Sequence, residues 1–256
     1  MIVAQDSRTN FLIPSSQSSE LTSLEEENLS TIVRYRRDLF GATTGGLFYT
    51  GREGDDFHNR LLGGDILFRF TDSEAFRIEV LGSQTRYPRS IAEGYGQSTG
   101  EISDHALRAV YQHTSRDWMY YLLYRDVGED FRADLGFVPQ ADFREAGGAL
   151  ERAWYPEGSG FSELRVGVEV DEYEDQGGRH LSRRIETYGW AQGPRESFLR
   201  LALIAGDQLY ADELFDTDRV TLHGEVQATS DVYLSLDAVA GGEVDFANGR
   251  QADELR

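Results

Sequence analysis

The sequence predicts an all-β chain: an antiparallel up-and-down transmembrane β-barrel with about twelve strands visible, as a piece of a larger barrel. Three observations lead there. Stretches of strict two-residue alternation recur along the chain. Short turns and longer, acidic or glycine-rich connections take turns between them. No run approaches the ~18 apolar residues of a transmembrane helix, so any crossing of a membrane would fall to strands.

The clearest alternation is FSELRVGVEVD, Phe161–Asp171. Leu164, Val166, Val168 and Val170 fall on one face, and Glu163, Arg165, Glu169 and Asp171 on the other, with Gly167 among them. In a soluble sandwich the charged face would meet water and the aliphatic face a second sheet. In an outer-membrane barrel the aliphatic face meets lipid and the charged face a wet lumen.

In chain order the strands are expected near 30–38, 43–51, 57–70, 75–86, 102–114, 118–126, 143–154, 161–171, 181–191, 197–205, 218–228 and 232–240. In the third, Ile66, Phe68 and Phe70 oppose Asp65 and Arg69. In the fourth, Phe76, Ile78 and Val80 oppose Arg77 and Glu79. In the tenth, Leu199, Leu201 and Leu203 oppose Arg200. In the eleventh, Val220, Leu222 and Val226 oppose Arg219 and Glu225. The last sets Val232, Leu234 and Leu236 against Ser235 and Asp237.

The connections at Phe40–Ala42, Thr71–Glu74, Ser115–Asp117, Tyr155–Gly160, Gln192–Glu196 and Thr229–Asp231 read as short turns. Between them lie Arg52–Asp56, Tyr87–Glu101, Val127–Asp142, Glu172–His180 and Gly206–Thr217, mostly longer. Sorting of this kind is what an outer-membrane barrel shows. Residues 1–28 are expected to be a polar loop or the remnant of a preceding strand, and 29–256 a barrel domain that is incomplete at its C-terminus. The order of the loops places both ends on the long-loop rim, which implies a fragment.

Composition bounds the function. With 256 residues, the chain is long enough for one large domain or two small ones. It has no cysteine, hence no disulfide framework, and its basic residues are all arginine. A net charge of −20 argues against a nucleic-acid partner, because phosphates need a basic face. MIVAQDSRTN lacks the basic start and apolar core of a signal peptide. For an envelope protein this implies that Met1 is not the start of the gene product.

No catalytic constellation, phosphate loop or nucleophile elbow is present. No cofactor or metal is expected, and no enzyme activity is assigned. The acidic pairs Asp55–Asp56, Asp171–Glu172 and Glu174–Asp175 match no EF-hand spacing. The candidate lumen-facing residues are Arg69, Arg77, Glu79, Arg108, Glu163, Arg165, Glu169, Arg200, Arg219 and Glu225. The candidate lipid-facing residues are Phe76, Ile78, Val80, Leu164, Val166, Val168, Val170, Leu199, Leu201 and Leu203. The charged set has two readings, a salt-bridge lattice that fills a narrow lumen or a lining selective for a charged or sugar-like solute. Trp118, Tyr120, Tyr121, Tyr124, Trp154, Tyr155, Tyr188 and Trp190 are expected to form an interfacial girdle. The expected partners are outer-membrane lipid and carbohydrate. The oligomeric state is open.

Three segments carry a resemblance: STIVRYRRDLFGATTGGLFYTGRE (Ser30–Glu53), HNRLLGGDILFRFTDSEAFRIEVLGSQTRYP (His58–Pro88) and LGFVPQADFREAGG (Leu135–Gly148). From about residue 30 onward the chain resembles an uncharacterised bacterial barrel domain that follows a family-nine carbohydrate-binding-like module in envelope proteins. Gln140 stands where a second basic residue is expected after the proline, which weakens any charge role there. The resemblance implies a C-terminal barrel in the outer membrane of a Gram-negative bacterium. It would anchor or serve a periplasmic carbohydrate-binding-like module, in solute or polysaccharide uptake. It brings no catalytic residues. A soluble β-sheet lectin or polysaccharide-active enzyme is the competing expectation.

Overall fold

Alternation of apolar with charged or small residues is enough to build long ladders here, because each strand satisfies its backbone through a sequence neighbour. The computed structural model describes residues 1–158 and 160–256, so residue 159 of the expected Tyr155–Gly160 turn lies outside it. Among the described residues the strands are β1 (Ile2–Asp6), β2 (Thr9–Pro14), β3 (Ser19–Leu24), β4 (Asn28–Phe40), β5 (Thr43–Glu53), β6 (His58–Arg69), β7 (Glu74–Arg86), β8 (Ile102–Thr114) and β9 (Trp118–Val127). There follow β10 (Phe143–Trp154), β11 (Glu163–Glu174), β12 (His180–Gln192), β13 (Phe198–Tyr210), β14 (Glu213–Asp216), β15 (Arg219–Gln227), β16 (Tyr233–Asp245) and β17 (Arg250–Leu255). One helix, α1 (Arg89–Gly94), follows Pro88.

The hydrogen-bonded order is β1, then β4 to β13 in chain order, then β15, β16 and β17, with β14 paired to the far end of β13. This is an up-and-down meander, and β2 with β3 makes a separate hairpin. The twelve expected strands are all present, several of them longer than the sequence suggested. Before Asn28, where the sequence reads a polar loop or the remnant of a preceding strand, the chain pairs Ile2–Asp6 with β4 and folds Thr9–Leu24 into the hairpin. The β13–β14 turn is equally hidden. Ala211 and Asp212 both take positive φ (48° and 68°), the geometry of a tight hairpin turn, without the usual glycine.

The contacts divide into two compact units. The first comprises residues 1–111, 123–145 and 174–179, and the second 112–122, 146–173 and 180–256.

In the first unit a conventional apolar core gathers Phe11 and Ile13 of β2, Phe57, Tyr87, Ile102, and Ile91 and Ala92 of α1. Phe11 meets Phe57 edge-on with centroids 4.9 Å apart, and Tyr87 at 6.0 Å. Beside this core the buried polar groups of residues 128–134 are held by side chains. Asn59 donates to Thr85 Oγ1 (2.7 Å) and to the carbonyl of Arg132 (3.0 Å), and its Oδ1 accepts from the Asp134 N–H (3.0 Å). Arg132 Nη2 donates to Gln97 Oε1 at 2.8 Å. Tyr87 Oη, Arg132 Nε and Asp134 Oδ2 are sealed from solvent without a hydrogen-bond partner among the described residues. Burial, opposed by Arg52 and Arg132, pushes the Asp134 carboxyl up to about 7. The same burial raises the Tyr87 phenol.

In the second unit the strands carry aliphatic side chains on one face and charges on the other. Leu201 is 48% exposed, while Ala202 beside it is fully covered. Register keeps the faces apart. Leu199, Leu201 and Leu203 stand opposite Gly224, Leu222 and Val220, whereas Arg200 stands opposite His223.

Candidate functional site

The charged face of the second unit is a bonded network rather than a solvated surface. Glu151 of β10 is buried. It accepts from Arg165 Nη1 of β11 (2.6 Å) and from the Tyr188 hydroxyl of β12 (3.0 Å). Arg165 also donates through Nε to Glu163 at 2.7 Å, and its guanidinium lies 5.0 Å over the Trp190 ring. Tyr121 of β9 donates to Glu169 at 2.9 Å. Glu186 of β12, only 3% exposed, is bonded by both Arg184 and Arg200, and Arg200 lies 5.1 Å over the Tyr188 ring. Each buried carboxylate therefore meets arginine or phenol donors, the condition for burying such a charge.

Gly167 makes one of these spans feasible. A Cβ at this position would stand 2.5 Å from Tyr188 Cζ. Without it the Tyr188 ring passes across β11 to reach Glu151 on the far side. Arg34 uses the same device in the first unit. It crosses Gly46, where a Cβ would lie 2.9 Å from Nη2, to pair with Asp65.

Of the ten charged candidates, Glu163, Arg165, Glu169 and Arg200 join the network. Arg219 lines a separate hollow of about 420 Å³ with Asp171, Arg184, Asp207 and Glu243. Glu225 accepts from the Tyr233 hydroxyl. In the first unit Glu79 stands opposite Asp65, and Arg77 opposite Leu67. Glu79 and Arg108 line a cavity of about 300 Å³ with Arg125, Phe131, Phe137 and Phe143. Arg69, at the end of β6, is exposed.

The ten aliphatic and aromatic candidates keep to the other face. Phe76, Ile78 and Val80 stand opposite Phe68, Ile66 and Gly64. Val166, Val168, Val170, Leu199, Leu201 and Leu203 are exposed, and Leu164 is half-buried.

Sequence reasoning missed Glu145, Glu151 and Glu186, the most deeply buried carboxylates. The run Arg184, Glu186, Tyr188, Trp190 at every second position was the signal for the last of these. The expected girdle is corrected in part. Tyr121 and Tyr188 turn their hydroxyls into the charged network, and Trp190 stacks beneath Arg165. Trp118 and Trp154 are exposed, with Arg152 close to both rings. Among the described residues, no group of three or more His, Asp or Glu is placed to hold a metal ion.

No family model and no curated protein matches the chain. Among solved structures, a mutant of the ferric enterobactin receptor from Pseudomonas aeruginosa is similar, with a TM-score of 0.53 and 12% identity. The match covers 94% of this chain and 44% of that one, so the chain spans less than half the receptor's length. At that identity the likeness bears on the fold, which is that of an antiparallel outer-membrane β-barrel.

Proposed function

We propose that this chain is the barrel region, or part of it, of an outer-membrane protein of a Gram-negative bacterium. In this reading the Val166 and Leu201 face meets lipid, and the Glu151 and Glu186 face lines the interior. The observation that carries it is the inverted distribution of side chains: aliphatic residues lie exposed while paired carboxylates lie buried. A soluble sheet of this size would bury the aliphatic face, because leaving it wet costs about 25 cal/mol for every Å². Lipid removes that cost.

Solute uptake is the role we put forward, with the short turns on the periplasmic side. Two things support it: the polar, arginine-bearing face, and the shared fold with a receptor whose named cargo is ferric enterobactin. Service to an upstream carbohydrate-binding-like module rests on the resemblance at Ser30–Glu53, His58–Pro88 and Leu135–Gly148.

The test is outer-membrane fractionation of the full-length gene product followed by gel electrophoresis with and without boiling. A detergent-extracted band whose mobility shifts on boiling is the expected result. A chain that stays in the soluble fraction without detergent would overturn the proposal.

A further inference from the structure

Arginines of both units meet carboxylates. In the second, Arg165, Arg184 and Arg200 each meet a carboxylate. In the first, Arg34 is paired to Asp65, Arg60 to Glu53 and Arg125 to Glu145. Arg69, Arg77 and Arg108 have no side-chain hydrogen bond or ion pair among the described residues, although acids outnumber bases 45 to 25 in the chain.

The register sets two of them on one face. Arg77 stands opposite Leu67 and Arg69 opposite Ala75, so the two arginines are diagonal neighbours on one face. All three are exposed, and Arg108 opens onto the cavity it shares with Glu79, Arg125, Phe131 and Phe143. Three exposed arginines without a carboxylate partner in so acidic a protein suit an anion that arrives from outside.

We propose that Arg69, Arg77 and Arg108 bind a multivalent oxyanion, a phosphate- or carboxylate-bearing solute, on the interior face of the barrel. The proposal rests on the outer-membrane reading for the direction of that face. Guanidinium forks match both chemistries, since each offers paired donors to two oxygens of one group.

The experiment follows thermal unfolding of the full-length protein in detergent at low salt, with inorganic pyrophosphate, citrate or neutral maltohexaose added. Pyrophosphate or citrate should raise the midpoint by about 5 °C near saturation, and maltohexaose should not. Whichever anion acts at the lower concentration identifies the solute chemistry. Arg77→Gln should abolish the shift and leave the unliganded midpoint unchanged, because the exposed side chain makes no hydrogen bond or ion pair among the described residues. Arg69→Gln serves as the second variant and should weaken the response at least several-fold. No shift with either anion, an equal shift in both variants, or a shift with maltohexaose alone overturns the proposal. Loss of the boiling-dependent mobility shift in the wild-type protein would instead sink the barrel reading itself.

Discussion

Gly167 decides whether Tyr188 can reach Glu151. Gly167→Val puts carbon where the Tyr188 ring lies, so the phenol must swing away and Glu151 keeps only Arg165. The expected cost is about 1–3 kcal/mol, from overpacking and a lost bond to a buried charge. Boiling-dependent gel midpoints in detergent would read it. In a double-mutant cycle with Tyr188→Ala, the two losses should be clearly less than additive. Asp134 makes a second prediction at this scale. Its folded pKa, about 7, lies above the ordinary carboxyl value, so the folded state holds the proton more tightly than the unfolded one. Stability should therefore fall as pH rises from about 4 to 7, by up to about 4 kcal/mol, and level off above. Asp134→Asn removes that slope and stabilises the protein at pH 8, checked by unfolding midpoints at pH 5 and pH 8. A wild-type protein that grows more stable over this range would contradict the buried carboxyl.

At the scale of the element, Leu201 sits within β13 on the exposed aliphatic face. In a lipid-facing strand, Leu201→Arg should cost about 2–4 kcal/mol on folding into bilayers, and far less on a surface facing water. Refolding yields into liposomes would distinguish the two. Strands of this kind were legible in the sequence because period-two alternation is a local signal that survives without tertiary context. β3 was not legible: Ser19–Leu24 is polar, and it pairs only because Phe11 and Ile13 of the partner strand anchor the hairpin in a core. α1 was also missed, being a single short helix between Pro88 and Tyr95 with only Ile91 and Ala92 buried. The charged face was legible as a face, but not as a network. Glu186 and the exposed Asp237 look alike in a sequence. Only the neighbouring strands, which bring Arg200 beside one under cover and His223 beside the other in the open, separate them.

For the molecule as a whole, most long-range pairing links strands adjacent in the chain. The contact between the β2–β3 hairpin and the 128–142 connection is different. The backbone N–H of Ala141 donates to the Ser15 carbonyl at 3.2 Å, and Gln140 Nε2 donates to the Ser16 carbonyl at 2.6 Å across 124 residues of sequence. Ladder growth proceeds hairpin by hairpin with little entropy to overcome at each step, whereas this clasp needs β4 through β9 between its two halves. It is therefore a late event in assembly. Until it closes, the carbonyls of Ser15 and Ser16 lack these two donors, and the half-built chain leaves open a seam that the finished one locks.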